Sequence, residues 1–146
     1  MIVKVPPVPP IRIQPSRVRA LLRPLGISST GMGVQQSVMD MISQNIQNAR
    51  TTRTAEGGPY RRKILVLERD PNGGGVRIAR IVEDTEPGHL VFEPGHPDAD
   101  ADGNVRYPNV DIISEITDLM IAKRMFEANA TAFQTAKAMI RRALDI

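Results

Sequence analysis

The sequence contains no cysteine and no tryptophan, and its 146 residues include only three phenylalanines and two tyrosines. The lack of cysteine excludes disulfides, thiolate nucleophiles and cysteine-bound zinc, and two histidines are too few for a three-histidine metal centre. No apolar run approaches the roughly 18–20 residues needed to span a bilayer, and the first ten residues lack the apolar region of a cleavable secretory signal. The chain is therefore poor in catalytic side chains, and we expect no enzymatic activity.

Positive and negative charges are unevenly distributed, although the net charge is only +3. Residues 1–62 carry nine Lys and Arg against two acids, residues 63–110 carry five against nine, and residues 111–146 carry five of each. Clustered cations can neutralise phosphates, but the arginines of the first part have no aromatic residues between them and no nucleic-acid reader motif. A solvated basic segment that binds no nucleic acid is the favoured interpretation.

Five prolines within residues 1–20 fix φ and remove backbone donors, so neither a helix nor a central strand fits there. We predict a Pro-rich mobile arm over this range. The first helix is predicted to start at Ser28 or Ser29, which are good N-cap residues, and to end at Ala49. Residues 21–49 then form a terminal helical domain together with residues 109–146.

The apolar face of this first helix carries asparagines. Val34, Val38, Met41 and Asn45 recur at helical spacing, with Ile42, Ile46 and Ala49 on the adjacent stripe and Asn48 beside them. Buried amides need hydrogen-bond partners, and one amide on a helix–helix seam can fix its register. The pattern predicts that this face packs against another helix.

The second helix is the longest predicted element, running from Asn109 or Asp111 to Leu144. One row of its residues steps by four and three: Ile112, Ile116, Leu119, Lys123, Phe126, Ala130, Phe133, Lys137, Ile140 and Leu144. A neighbouring row has mostly small or flexible side chains: Ala122, Met125, Asn129, Ala132, Ala136, Met139 and Ala143. Because the first helix can fill only one row, the sequence predicts further packing partners.

Between the helices, residues 50–108 are predicted to form loops and a small β-rich section. Strands are predicted at Ile64–Leu67, Val76–Val82 and His89–Phe92. Such a section is too small for a core of its own, so we expect it to pack on the helices or on neighbouring molecules. The predicted fold class is α+β, with long N- and C-terminal helices packed as a coiled-coil-like inner domain and a small β-rich middle section.

One loop is similar to the start of a calcium-binding EF-hand. Asp98, Asp100 and Asp102 occupy its first, third and fifth positions, and Gly103 occupies the sixth. The twelfth position, which should be a bidentate Glu, is Asn109 instead, and no helix is predicted before the loop. A solvated acidic loop that needs no metal is the favoured interpretation.

Several motifs together resemble those of flagellar basal-body rod proteins, an axial family of the rod and hook. On the first helix the resemblance rests on Gly31-Met32 and on residues 41–49, where Gln44 replaces the first residue of an Asn-Asn pair. Proximal-rod members are matched more specifically by Thr51-Thr52 and by residues 57–63, 94–100 and 107–111. The C-terminal match runs from Glu115 to Met139, and the resemblance covers residues 21–146 as a whole.

The resemblance implies a structural protein of the bacterial flagellum that serves motility. Members of this family are exported through the flagellar type III apparatus without a cleaved signal, and they build the rod within the periplasm by helical assembly. The implied partners are further copies of the chain, the rod proteins FlgB, FlgF and FlgG, the rod base protein FliE and the membrane ring. The implied function is a subunit of the proximal rod, in the drive shaft that transmits torque to the distal rod and hook, without cofactor, metal or small-molecule substrate.

The expected assembly interface combines residues of both helices. They are Val38, Met41, Ile42, Asn45, Ile46, Asn48, Ile112, Ile116, Leu119, Met125, Phe126, Asn129, Phe133, Met139 and Ile140. Two other interpretations stay open at this point. One is a soluble helical scaffold or adaptor that dimerises through the heptad row of residues 112–144, and the other is a secreted calcium-binding module that uses the acidic loop.

Overall fold

The structure, a computed structural model, describes residues 15–71 and 74–144. Its elements in chain order are α1 (Pro15–Gln47), β1 (Lys63–Arg69), β2 (Val76–Glu83), β3 (Leu90–Phe92), β4 (Asn104–Arg106) and α2 (Ile112–Leu144). Two long helices with a small β-rich section between them confirm the predicted α+β class. Within the described ranges, neither helix has the length and apolar character needed to cross a membrane.

α1 begins at Pro15, although the sequence predicted an arm over residues 1–20 and a helix start at Ser28 or Ser29. Residues 15–20 are helical instead, and the remainder of the predicted arm, residues 1–14, lies outside the described residues. Proline suits the first position of a helix because its missing N–H would have no intrahelical partner there. Pro24 lies inside α1 despite a typical cost of about 3 kcal/mol, and Ser28 is buried within the helix.

α2 begins one residue after Asp111, close to its predicted start. The Asp111 carboxylate accepts hydrogen bonds from the Ser114 hydroxyl (2.6 Å) and the Ile113 backbone N–H (3.1 Å), which makes Asp111 the N-cap. These two bonds, the first above all, hold the pKa of Asp111 below its usual value. Because the folded-state pKa is lowered, the stability that this cap contributes is present at neutral pH and is lost as the pH falls through that pKa.

The two helices form an antiparallel pair. Asn45 of α1 hydrogen-bonds Glu115 of α2. Gly31, fourteen residues before Asn45, lies against Asn129, fourteen residues after Glu115. A Cβ added at Gly31 would come within 2.9 Å of the Asn129 side-chain nitrogen. Glycine at this position therefore allows α2 to lie close against α1.

The buried and half-buried residues of α2 lie mainly in one row, and the contacts of Glu115 and Asn129 with α1 identify this row as the face turned toward α1. The row consists of Glu115, Leu119, Ala122, Phe126, Asn129, Phe133, Ala136 and Ile140, which step by four and three. Apart from Glu115, which was in neither predicted row, it takes alternate members from the two rows predicted from the sequence. Other members of those rows, such as Ile116, Met125 and Met139, are exposed. The heptad spacing was therefore predicted correctly, but the face turned toward α1 lies between the two predicted rows.

β1 and β2 form an antiparallel hairpin that begins with Lys63 opposite Glu83. Both strands were predicted from the sequence and are confirmed. The hairpin lies along α1, because Lys63 bonds Asn45 at one end and the Val76 backbone N–H donates to the Thr30 hydroxyl at the other (3.4 Å). The hairpin thus depends on α1 for its position.

β3 and β4 form a second antiparallel pair, in which Val91 lies opposite Val105. The sequence predicted β3 to within one residue but missed β4. Three residues between an acidic loop and Pro108 are too few to show the alternating pattern of a strand. Val105 is nevertheless completely buried, and it forms the centre of this small sheet.

Gly88, just before β3, is expected to be essential for this second sheet. A Cβ at Gly88 would overlap the backbone oxygen of Tyr107, whose N–H is hydrogen-bonded to the His89 carbonyl (2.9 Å). The obstacle is backbone, so it cannot rotate away as a side chain could. We expect Gly88→Ala to lower the free energy of unfolding by about 1–3 kcal/mol, the usual cost of overpacking, in urea unfolding followed by far-UV circular dichroism.

Gly95→Ala is the matched control for this prediction, because a Cβ at Gly95 would meet open space. That variant should unfold at the wild-type urea concentration. Equal midpoints for the two alanine variants would show that the contact between Gly88 and Tyr107 does not constrain the fold.

Candidate assembly surface

A buried polar cluster joins α1, β1 and α2 at one end of the helix pair. Asn45, with 1% of its surface exposed, lies at its centre. The Asn45 side-chain nitrogen donates to the Lys63 carbonyl (2.9 Å) and to Glu115 Oε2 (3.2 Å). Its oxygen accepts from the Tyr60 hydroxyl (2.9 Å) and from the Lys63 backbone N–H (3.0 Å). The amide has thereby used both of its donors and both of its acceptor positions.

Glu115 is the acidic member of this cluster, and 1% of its surface is exposed. Its second oxygen, Oε1, accepts a short hydrogen bond from Arg62 Nε, and the opposite charges of the two groups make this one contact a salt bridge. Arg62 extends further to the exposed Asp118, with 3.8 Å between nitrogen and oxygen. A buried carboxylate is tolerated only where it is paired and hydrogen-bonded, and here both conditions are met. We call Asn45, Tyr60, Arg62, Lys63 and Glu115 the Asn45 node.

Tyr60 is held in its protonated form within the node. Burial raises the pKa of the Tyr60 hydroxyl, and the negative charges of Glu115 and Glu83 raise it further. The hydroxyl therefore remains a donor to Asn45 at neutral pH and well above it. Since all members of the node are paired and come from α1, α2, β1 and the loop just before β1, the node fixes the register of the helices and the start of the hairpin.

Only part of this node was predicted from the sequence. Asn45 was recognised as an amide on an apolar face that needed partners, but those partners lie elsewhere in the chain. Glu115 is 70 residues from Asn45 in the sequence, and Arg62 is 53 residues from Glu115. A Glu in the first turn of a helix is ordinarily solvent-exposed, so no local signal marked Glu115 as buried.

An apolar groove of about 370 Å³ lies next to the node. Its floor is α1, and its two walls are β1 and the first half of α2. The side chains at its rim are open to solvent: Ile64 and Leu67 of β1 are each 39% exposed, and Ile121 and Met125 of α2 are 51% and 49% exposed. Large apolar side chains grouped in this way are typical of a surface that another protein covers.

The residues predicted for the assembly interface fall into three groups. Met41, Ile42 and Asn45 are buried, so they are used within the chain. Val38, Ile46, Asn48, Leu119, Phe126, Asn129, Phe133 and Ile140 are half-buried. Ile112, Ile116, Met125 and Met139 are exposed, at 38%, 46%, 49% and 65%. The last group remains fully available for contact with another molecule.

Further exposed apolar residues were missed by sequence reasoning. On α2 they are Ile113, Met120 and Ile121, and in the two sheets they include Ile81, Leu90 and Phe92. Ile113 and Met120 lie seven residues apart and hence on one helix face. This spacing could have been recognised in the sequence as a third apolar row. The exposed strand residues gave no such signal, because alternation in a short hairpin does not tell which face is covered.

The acidic loop is held by contacts inside the chain. Asp98 accepts a hydrogen bond from the Thr52 hydroxyl (2.7 Å) and forms a salt bridge with Arg53 (2.6 Å). One Asp100 oxygen accepts from the backbone N–H groups of Asp102 (3.0 Å) and Asn104 (2.8 Å). Across residues 15–71 and 74–144, no three His, Asp or Glu side chains are grouped as a metal site would require.

Calcium is therefore expected not to bind this loop. The loop has no bidentate ligand in its twelfth position, and the Asp98 carboxylate is already engaged by Thr52 and Arg53. Titration of the full chain with calcium chloride in a calorimeter should give no more heat than titration of buffer. Saturable heat that disappears in Asp98→Asn would contradict this expectation.

Comparison with known proteins gives consistent matches. Residues 101–146 match the family model described as "Flagellar basal body rod FlgEFG protein C-terminal". The chain is 37% identical to the flagellar basal-body rod protein FlgC of Borreliella burgdorferi, over 86% of this chain and 97% of the relative. It is 36% identical to the protein of the same name from Bacillus subtilis, over 84% of this chain and 95% of the relative. The chain is 35% identical to the protein of this name from Salmonella typhimurium, over 87% of this chain and 98% of the relative.

Proposed function

The chain belongs to the family of flagellar basal-body rod proteins FlgC, and from this membership we propose that it polymerises through α1 and α2 into the proximal rod. It is a structural subunit of the flagellar basal-body rod, as the motifs of both helices predicted. The assembled rod would act as the drive shaft that passes torque from the membrane ring to the distal rod and hook. This function is mechanical and uses no catalytic residue.

One observation carries the proposal: α2 has more apolar surface than α1 can cover. A single row of α2 packs on α1, and Ile116, Met125 and Met139 remain exposed on the flanks of that row. Complete burial of a fully exposed apolar side chain of this size is worth about 1.5–3 kcal/mol, and these residues, which are 46%, 49% and 65% exposed, would contribute a proportionate part of that free energy. Neighbouring subunits in a helical assembly would gain that free energy at every contact, which a single chain cannot.

The partners proposed for this subunit are the components next to it in a rod. They are further copies of the chain, the rod proteins FlgB, FlgF and FlgG, the rod base protein FliE and the membrane ring. The proposed route is the flagellar type III export apparatus, without a cleaved signal, and the proposed location is the periplasmic part of the basal body. The small number of buried apolar residues in the core, seven in the described part of the chain, fits a protein that passes through the export apparatus unfolded.

A scaffold or adaptor that dimerises through the heptad row of residues 112–144 is not favoured. Leu119, Phe126 and Phe133 of that row are half-buried within the single chain, on the face that α2 turns toward α1. The row is therefore not free to serve as the seam of a dimer, and the relatives of the chain are rod proteins.

Deletion of the coding gene in its own organism, followed by complementation, tests the proposal. The deletion strain should lack rods beyond the membrane ring in electron micrographs of basal bodies, and it should not swim. The wild-type gene supplied from a plasmid should restore both. Complete rods in the deletion strain would contradict the proposed function.

A further inference from the structure

One edge of β1 has no strand beside it. Among the described residues, β1 pairs only with β2. The Asp84 backbone N–H donates to the Arg62 carbonyl (2.7 Å), so Arg62 bonds toward the β2 side, and Lys63, the next residue, turns its backbone N–H and C=O the other way. The Asn45 side chain binds both of these Lys63 groups. It therefore takes the place of a neighbouring strand at this one residue.

The next position on this edge faces the apolar groove. Leu65 lies two residues after Lys63 and opposite Ile81 of β2, so its backbone N–H and C=O point the same way as those of Lys63. Ile64 and Leu65 both line the groove, although successive side chains of a strand point to opposite faces. The groove therefore runs along the edge of β1, and such an edge is a template for pairing with another extended chain.

Residues 2–5 of the sequence, which lie outside the described residues, have the pattern of a short edge strand. Ile, Val, Lys and Val follow one another there, and β-branched residues favour strands. In an extended chain Val3 and Val5 share one face, and Lys4 lies on the other. Pairing would stop at Val5, because Pro6 cannot donate to a ladder. A segment of this kind can bond to a strand edge through its backbone and place its apolar side chains in a groove.

We propose that residues 2–5 of one copy add to the open edge of β1 in a neighbouring copy and place Val3 and Val5 in its groove. The contact would cover Ile64 and Leu67, which are each 39% exposed in the single chain. The inference rests on the proposed role as a rod subunit, because assembly brings copies of the chain side by side. It adds a lateral contact that does not involve the ends of the helices.

The length of the segment favours a neighbouring copy over the same chain. Asn45 lies thirty residues after Pro15 and hence about 45 Å along α1. Leu65 lies two strand residues, or about 7 Å, nearer to the start of α1, because the hairpin runs from Asn45 back toward Thr30. Val3 is twelve residues before Pro15, which is about 37 Å at the rise per residue of a proline-rich chain. Within one copy the segment would have to run straight and without slack, whereas α1 of a neighbouring copy can begin closer to the groove.

Cross-linking of thiols in assembled rods tests this inference. The chain has no cysteine, so Val5→Cys/Ile64→Cys carries one thiol on the segment and one at the rim of the groove. Basal bodies from a strain that swims with this variant are treated with a short bismaleimide. We expect dimers and higher oligomers on a denaturing gel, because each copy is then joined to the next. Val5→Cys/Met139→Cys, whose second thiol is exposed on α2 away from the residues that line the groove, is the matched control and should give none.

Removal of residues 2–10 gives an independent result. Maleimide labelling of Ile64→Cys in basal bodies should be severalfold faster without these residues, while the isolated chain should be labelled at the same rate with and without them. If the shortened chain builds no rods, the cross-linking decides alone.

Three results would overturn the inference. One is the absence of cross-linked oligomers in basal bodies that contain complete rods, and another is a cross-link confined to single chains. The third is continued protection of Ile64→Cys in rods of the shortened chain, which would show that another part of a neighbouring molecule fills the groove. In each case the rods are present, so the proposed function stands and only this contact is refuted.

Discussion

Replacing Asn45 with leucine is expected to lower the free energy of unfolding by about 3–5 kcal/mol. The substitution keeps the branched shape and the number of heavy atoms of the side chain, but it removes four hydrogen bonds from a site where only 1% of Asn45 is exposed. The Lys63 backbone groups and Glu115 Oε2 then lose their Asn45 partner inside the node. Each buried polar group without a partner costs roughly 1–3 kcal/mol, and leucine offers no replacement.

Asn48→Leu is the matched control for the node. Asn48 lies one turn later in the chain, is half-buried, and bonds locally, to the Gln44 carbonyl and the Thr51 hydroxyl. Its loss should cost less than about 1 kcal/mol, because these groups can bond to water instead. The two variants can be compared in urea unfolding followed by circular dichroism. Equal midpoints would show that the node does not hold the helix pair together.

Phe126→Ala is expected to abolish swimming and to leave basal bodies without complete rods, while synthesis and export of the chain stay normal. Phe126 lies in the middle of the row that packs α2 on α1. Truncation of a fully buried Phe costs about 3–5 kcal/mol, and the half-buried Phe126 should cost less than that within one chain. An assembly repeats the loss in each subunit, so the rod should respond more sharply than the single chain.

Two further variants accompany Phe126→Ala. Glu127→Ala changes the exposed neighbouring residue and should leave swimming intact. Asn129→Leu places a branched side chain against Gly31, where the helices are already in close contact, and should also impair the rod. Normal swimming and intact rods in both Phe126→Ala and Asn129→Leu would refute the role assigned to this row. Failure of Phe126→Ala alone would restrict that role to the large apolar members.

Sequence patterns were sufficient for the parts of the fold that depend on local spacing. α2 was predicted to within a residue or two because its heptad period runs without interruption from Ile112 onward. α1 was predicted in its second half and missed in its first, because the prolines of residues 1–20, with Pro15 among them, were interpreted as excluding a helix. Pro15 instead occupies the one helical position that suits proline. β4 was missed because three residues carry no period.

The candidate site was only partly predictable, for a different reason. The Asn45 node depends on contacts between residues that are 15 to 70 positions apart, and no local pattern encodes such distances. Likewise the helical period showed that α2 has two apolar rows, but it could not show which side chains α1 would cover. The face that α2 turns toward α1 lies between the two predicted rows, so Met125 is exposed and Phe126 is half-buried. Only the packing of the helices in three dimensions decides the position of this face.

The central claim is that neighbouring subunits in the rod cover the apolar side chains that α2 leaves open. The chain has no cysteine, so Met125→Cys introduces a single thiol on the exposed flank of α2, where Met125 is 49% exposed. The direct measurement is the rate of maleimide labelling of this thiol, in the isolated chain and in basal bodies from a strain that swims with the variant. We expect rapid labelling of the isolated chain, strong protection in basal bodies, and full labelling after these are dissolved in denaturant. Equal labelling rates in the isolated chain and in intact basal bodies would contradict the claim.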